Sequence, residues 1–462
     1  MNNEKIFQSL NPWSGELLAE WEVFSPAKVH RILQLSRAVF PQWRGEKPEF
    51  RLRLMDRLAI LLEKNREMLA LAMAEEMGKP VTEGRSEVDK SVAMIRYLQE
   101  NLLEWTGIED IQKNSIPVAR KLLEPLGGIL LIMPWNFPLW QVCRAALPAL
   151  CAGNVVLLKH APNVFRFSSI LGKLFSEAGF PEGVFQEIRV DTSAVEGIIA
   201  DQAVAAVSLT GSEAAGSAVA SIAGKYLKKC ILELGGSDPF IVMKDADLEA
   251  AARTAAMSRM INGGQSCIAA KRFLIHRDVA ELFSMLLIQK LSDYKPGNPC
   301  FSSTRLGPLA RPDLLDNLRR QYAESIRGGA VVRYEMKAEF PEKAPVFLPV
   351  LLENVQPGMA AFDEETFGPL VSLTRFSTDE ELISLANNTR FGLGATIFTA
   401  DRARAWGVAG SLACGSVAIN QLMRSDPALP FGGIKASGYG KELAREGFEA
   451  FCNEKVVMMQ GS

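Results

Sequence analysis

Two patterns of apolar spacing divide the chain. Over residues 51–77 apolar side chains recur every three or four positions and stop at Gly78-Lys79-Pro80, which predicts helix closed by a glycine. The helical pattern dominates up to about Gln99. From Gly127 onward, short runs that are apolar at every position take over. Ile129-Leu130-Leu131-Ile132-Met133 and Val155-Val156-Leu157-Leu158 are such runs, and each predicts a strand buried on both faces. Helical stretches at 142–150 and 168–178 and from Glu213 alternate with further strands at 203–209 and 229–232. This alternation predicts a parallel sheet of βαβ units with right-handed crossovers. A second alternating block opens at Pro239-Phe240-Ile241-Val242-Met243, runs through a helix at 247–260 and continues past Val417-Ala418-Ile419. The run at 455–459 predicts a strand that pairs outside its own domain. The expected fold class is therefore α/β, with two parallel-sheet α/β domains and a small β element.

Composition narrows the function without choosing it. The 462 residues are 48% hydrophobic and 23% charged, ordinary values for a globular chain of several domains. Lys and Arg number 51 against 53 Asp and Glu, so there is no basic field and nucleic acid is not an expected partner. The N-terminal residues lack a basic segment followed by an apolar run, and the longest apolar run is broken by Pro148 and Gly153-Asn154. No membrane association and a cytoplasmic address are expected. Seven cysteines without Cys-x-x-Cys spacing predict neither a disulfide framework nor a metal site. The three histidines, His30, His160 and His276, stand beside no obvious nucleophile. Chemistry by thiol and carboxylate is the more economical expectation.

Two segments carry that chemistry. Asn262-Gly263-Gly264-Gln265-Ser266-Cys267 lies where the 247–260 helix stops, and its glycines let the backbone turn sharply and leave room beside the thiol. Read alone, it also fits a helix C-cap followed by an ordinary buried cysteine. Glu233-Leu234-Gly235-Gly236 places a carboxylate directly after a buried strand, a costly position for a group without a use. Read alone, it also fits a cap or a loop residue.

Together these segments resemble the aldehyde dehydrogenase superfamily, in which Glu-Leu-Gly-Gly is followed, here 34 residues later, by the cysteine of Gly-Gln-x-Cys. Further motifs stand in the family's order across essentially the whole chain. They are Asn11-Pro12, Pro134-Trp135-Asn136-Phe137-Pro138, Thr210-Gly211-Ser212, Glu365-Thr366-Phe367-Gly368-Pro369, Pro430-Phe431-Gly432-Gly433-Ile434-Lys435 and Ser437-Gly438-Tyr439-Gly440. The resemblance implies Cys267 as nucleophile, Glu233 as general base and the Asn136 amide, with the Cys267 backbone N–H, as oxyanion donors. It implies a Rossmann-like cofactor domain over 1–102 and 126–235 and a catalytic domain over 236–438. A hairpin at 103–125 and the segment 439–462 would form an oligomerisation element of a homodimer or homotetramer.

For the cofactor, NAD or NADP, Thr210-Gly211-Ser212 follows a strand and opens a helix, where backbone N–H groups suit a diphosphate. The three-glycine dinucleotide fingerprint is missing. By resemblance Lys159 contacts the adenosine ribose, Glu365 holds the nicotinamide ribose, and Trp135 and Phe367 line the same site. Phe367 is equally well read as a core aromatic. Strict NAD enzymes of the family carry a glutamate three residues after the lysine; here Pro162 stands there. For the substrate, Arg144 lies eight residues after Asn136, where family members acting on succinate semialdehyde carry an arginine, and Ser425 resembles their serine. A guanidinium offers a carboxylate a two-pronged partner. Read alone, Arg144 also fits a surface or interface arginine. Three competitors are a coenzyme A-acylating relative, which generally lacks the glutamate present as Glu233, a catalytically idle relative, and a cysteine hydrolase, which needs a histidine partner for the thiol.

Without a carboxylate at Pro162, a 2′-phosphate meets no repulsion and Lys159 can pair with it, so NADP should serve alongside NAD. Steady-state rates with both dinucleotides check this. A deficit with NADP of roughly a thousandfold, the size of a repulsion of about 4 kcal/mol, would overturn it.

Overall fold

The computed structural model describes residues 6–113 and 116–459, so residues 1–5 and the last three positions of the expected C-terminal element lie outside it. The chain begins differently from the helical expectation. Ile6–Leu10 and Leu17–Glu22 pair as an antiparallel hairpin before the helices start. Its turn is tied by the Asn11 side chain, whose Oδ1 accepts from the N–H groups of Trp13 and Ser14, a local bond that competes with helix formation. The long helical stretch then appears as Pro48–Lys64 and Arg66–Met77, broken at Asn65, and Gly78 ends it in the left-handed region at φ 79°. Val81–Trp105 follows as a 25-residue helix.

The alternating blocks form two sheets. The first has six strands in the order Gly438–Tyr439, Lys229–Glu233, Val204–Thr210, Gly128–Met133, Val155–His160, Phe185–Glu187. All are parallel except the first, which is antiparallel to Lys229–Glu233. The chain enters at Gly128–Met133, builds outward on one side, then crosses to the other. Such a reversal opens a crevice at the carboxyl ends of the strands. The Trp135-Asn136 pair, Lys159, Gly211-Ser212 and Glu233 all lie at those carboxyl ends.

The second sheet has seven strands: Val331–Glu335, Val350–Glu353, Leu370–Phe376, Ala270–His276, Asp238–Val242, Gly394–Phe398 and Ser416–Ile419. Only the first pair is antiparallel. Cys267 precedes the strand at Ala270 and Glu365 the strand at Leu370, so both stand at the amino edge of two adjacent strands. The site lies where that edge meets the carboxyl edge of the first sheet.

A third sheet of three antiparallel strands pairs Cys452–Met459 with Ile116–Pro125 and the latter with Glu109–Lys113. Between the antiparallel strand Gly438–Tyr439 and this sheet, the helix Ala444–Glu449 packs on the helix Trp140–Ala152. The stretch after Tyr439 therefore lies against the first sheet before the chain joins the hairpin.

The second core centres on Phe240, fully buried on a middle strand and stacked between Phe273 at 5.4 Å and Phe398 at 5.3 Å. Truncating it leaves both neighbours facing a void. Phe240→Ala should lower stability by about 3–5 kcal/mol, read as a lower denaturant midpoint at unchanged slope; a loss under about 1 kcal/mol would contradict this packing role.

Candidate active site

The cysteine loop is held in a backbone path that few residues adopt. The helix Leu248–Met260 ends, and Asn262, Gly263 and Gly264 all take positive φ, 52°, 63° and 80°. Asparagine tolerates this region better than most side chains, and glycine pays no steric cost there. Gly264 has a second reason to lack a side chain, because a Cβ would collide with the backbone at Gly368. Several bonds fix the turn. Glu83 Oε2 accepts from the Asn262 N–H at 2.6 Å, and the Asn262 amide donates to the carbonyls of Asn136, at 2.8 Å, and Gln265. Burial pushes the Glu83 carboxyl up to about 7.

Arg259, near the end of the helix that leads into this loop, is fully buried. Its guanidinium donates to the carbonyls of Ala270 at 2.9 Å, Gly264 at 3.3 Å, Thr366 at 2.9 Å and Gly368. It thereby ties the cysteine loop to the Glu365 loop. Lys271 makes a second tie, donating to the carbonyls of Ser266 and Cys267 at 3.0 and 2.7 Å and pairing with Glu365 at 3.3 Å.

Asn136 reaches the same loop from the first sheet. Its Nδ2 donates to the Gln265 carbonyl at 3.1 Å, and its Oδ1 accepts from Gln141 at 3.0 Å. Gln141, which carries no sequence signal of its own, thus fixes which way the amide faces and leaves the second Nδ2 hydrogen unused by this pair of bonds. The Cys267 thiol borders a cavity of about 330 Å³ walled by Phe137, Trp140, Gln141, Arg144, Lys90 and Ser425. Burial pushes that thiol up to about 11; Arg144 and Lys271 pull the other way, while Glu365 and Glu233 add to the rise.

Glu233 is buried, and neither of its oxygens has a hydrogen-bond partner among the described residues. A Cβ on Gly432 would sit 2.7 Å from its Oε1, so the carboxyl rests on a surface only glycine leaves free. Burial drives its pKa well above the usual carboxylate range, the nearby Glu442 adds to this, and Arg144 and Lys441 oppose it. At a given pH, Glu233 therefore holds its proton more than an exposed glutamate does.

Arg144 lies in the cavity wall, but much of its guanidinium is already committed. It is ion-paired with the fully buried Glu442, donates to Thr210 Oγ1 at 3.1 Å and stands 5.0 Å from the Phe431 ring. Glu442 was invisible as a partner because it lies 298 residues downstream of Arg144; its only signal is that it closely follows the Ser437-Gly438-Tyr439-Gly440 motif. Ser425 accepts from Lys90 at 2.7 Å and from Trp140 Nε1 at 3.1 Å.

A second cleft, of about 1090 Å³, lies between Ser212, Glu213 and Ser217 on one side and Gln321, Glu365 and Phe391 on the other. Ser212 caps the helix Glu213–Lys225, and Gly216 on its first turns packs so tightly on Leu234 that a Cβ would lie 2.5 Å from that side chain. The helix start, whose N–H groups suit an anion, is thereby held close to the sheet edge. Trp135 and Phe367 meet edge to face at 6.0 Å. Lys159 is nearly buried at the end of its strand, and Pro162 opens the short 3-10 turn that follows. A polar cleft with a helix start at one wall and a carboxylate at the other fits a dinucleotide. His160 is buried and bonded to the Pro138 carbonyl, with burial lowering its pKa to about 4; it makes no pair with Cys267.

The chain belongs to the aldehyde dehydrogenase family, whose model matches residues 1–457. It is 41% identical over 452 residues to the succinate semialdehyde dehydrogenase [NAD(P)+] Sad of Escherichia coli K12, covering 97% of each chain. It is 40% identical over 459 residues to the succinate-semialdehyde dehydrogenase [NADP(+)] of Mycobacterium avium, covering 98% of this chain and 97% of the relative. The succinic semialdehyde dehydrogenase of Streptococcus pyogenes, solved with NADP+ as the cofactor, superposes with a TM-score of 0.96 at 32% identity, covering 98% of this chain and all of that one.

A thiol raised to about 11 is almost wholly protonated near neutrality. Alkylation of Cys267 by iodoacetamide in the cofactor-free protein should therefore climb about tenfold per pH unit between roughly pH 7 and 9.5. Mass spectrometry against Cys267→Ala follows the site, and a rate already level below pH 8 would contradict this environment.

Proposed function

We propose that the protein oxidises succinate semialdehyde to succinate with NAD or NADP, through an acyl thioester on Cys267. The observation that carries this reading is the thiol bordering a cavity whose wall includes Lys90 and Arg144, beside a fixed amide and a buried carboxyl, in a chain whose relatives bear that activity. Cys267 as thiolate adds to the aldehyde carbon, and the oxygen becomes an oxyanion. The Asn136 amide and the Cys267 backbone N–H donate to it, each such donor being worth about 3–4 kcal/mol. Gly211-Ser212 would hold the phosphates of a dinucleotide, Lys159 its adenosine ribose and Glu365 its nicotinamide ribose, and the bound dinucleotide would supply the acceptor for the hydride lost by the carbon attached to Cys267. By the family resemblance Trp135, Phe367 and Pro162 would also contact the dinucleotide. Glu233, turned from its rest against Gly432 toward the thioester, takes a proton from the attacking water, and the bond to Cys267 breaks to release the acid. Arg144 and Ser425 stand where the distal carboxylate of the substrate would lie.

The same reading divides the chain into a cofactor-binding body at 1–102 and 126–235, a catalytic body at 236–438, and an assembly element at 103–125 and 439–462. Val456, Val457, Met458 and Met459 are exposed apolar side chains on one short sheet, which supports a homodimer or homotetramer built there. The seven free thiols suit the cytoplasm. Among the described residues, no helix is long and apolar enough to cross a membrane.

Glu233→Gln should still give a burst of reduced dinucleotide, about one per active site, while the steady rate falls by roughly 10²–10⁴. Free acid should form without added coenzyme A. Loss of the burst with the steady rate, or a need for coenzyme A, would overturn the assignment.

A further inference from the structure

The distal carboxylate of the proposed substrate needs a cation that is not already neutralised. Arg144 does not meet that need well, because its charge is balanced at contact by the buried carboxylate of Glu442. An arriving anion feels the pair rather than the guanidinium alone. Lys90, on the helix Val81–Trp105, is different. Among the described residues its ammonium makes one hydrogen bond, to Ser425 Oγ at 2.7 Å, and no ion pair, and it stands 4.2 Å from the Trp140 ring. Glu87, one turn earlier on the same helix, is spent elsewhere. Its Oε2 pairs with Lys79, and its Oε1 accepts from the N–H groups of Leu139 and Trp140 at 2.8 and 2.9 Å.

Ser425 sharpens the point. Its oxygen accepts from both Lys90 and Trp140 Nε1, which uses both lone pairs and leaves its own O–H proton to be donated. Lys90 and Ser425 both border the cavity that holds Cys267. Two donors and no acceptor, side by side in a wall otherwise rich in aromatic surface, match the two oxygens of a carboxylate.

We propose that Lys90, with the Ser425 hydroxyl, is the principal anchor for the substrate's distal carboxylate, and that Arg144 serves mainly to hold Glu442 beside Glu233. This rests on the semialdehyde reading above and names the residue that selects the anionic substrate. Lys90 is also adjustable by pH. Burial, with help from Arg144, lowers its pKa to about 8; Arg424 acts in the same sense, and Glu87 and Asp426 oppose. Glu83, Tyr294 and Cys267 also line the cavity and titrate. The anchor is charged below that pH and fades above it.

The test compares kcat/KM for succinate semialdehyde with that for butanal, an uncharged aldehyde of the same carbon count. Lys90→Met should cut the ratio of the two by about 10- to 100-fold, chiefly through KM for the semialdehyde, and Lys90→Arg should restore most of it. In the unaltered protein the ratio should fall as pH rises through about 8, and in Lys90→Arg it should stay level. If Lys90→Met does not fold, that pH dependence decides alone. Equal losses on both aldehydes, or a ratio that ignores pH across this range, would overturn the anchor while leaving semialdehyde oxidation intact. An unaltered protein that does not favour the semialdehyde over butanal would instead sink the substrate reading, and this inference with it.

Discussion

Everything in the site depends on two loops from the amino edge of one sheet being pinned in a conformation that neither would hold alone. Arg259 does the pinning. A guanidinium removed from water is costly unless its N–H groups are satisfied, and here the acceptors are backbone carbonyls on both loops. Each loop thereby supplies the partners the arginine requires, and the arginine supplies donors that carbonyls buried in irregular structure require. The three residues of positive φ before Cys267 are tolerated because that mutual demand over-determines the turn.

The first sheet contributes a different kind of order. Its parallel strands deliver Asn136, Lys159, Ser212 and Glu233 to one edge, because each stands at or just past the end of a strand of the same direction. Position at a strand end gives precision without strain. The second sheet then brings Cys267 and Glu365 to that edge on its preceding loops, and Lys271 ties the two, donating to the Cys267 carbonyl and pairing with Glu365.

Much of this was legible in the sequence for a simple physical reason: buried parallel strands write continuous apolar runs. The strands at Gly128–Met133, Val155–His160 and Asp238–Val242 stand where those runs lie. The opening hairpin was not legible, since Leu17–Glu22 is largely exposed and its side chains do not alternate clearly. Nor were the pairings of buried charge. Arg144 with Glu442, and Arg259 with the carbonyls of Thr366 and Gly368, join residues whose sequence separation hides them. A motif shows which residue carries the chemistry; it does not show that the charge of Arg144 is already met by Glu442.

The antiparallel strand Gly438–Tyr439 and the residues just after it have a consequence for how much of the chain the site needs. They carry Glu442 to its place under Arg144, and Gly432 nearby provides the surface on which Glu233 rests. A chain ending with the second sheet would hold the Cys267 thiol but lack both the surface under Glu233 and the partner of Arg144. The last thirty or so residues are thus as much a part of the site's architecture as the loop that carries the thiol.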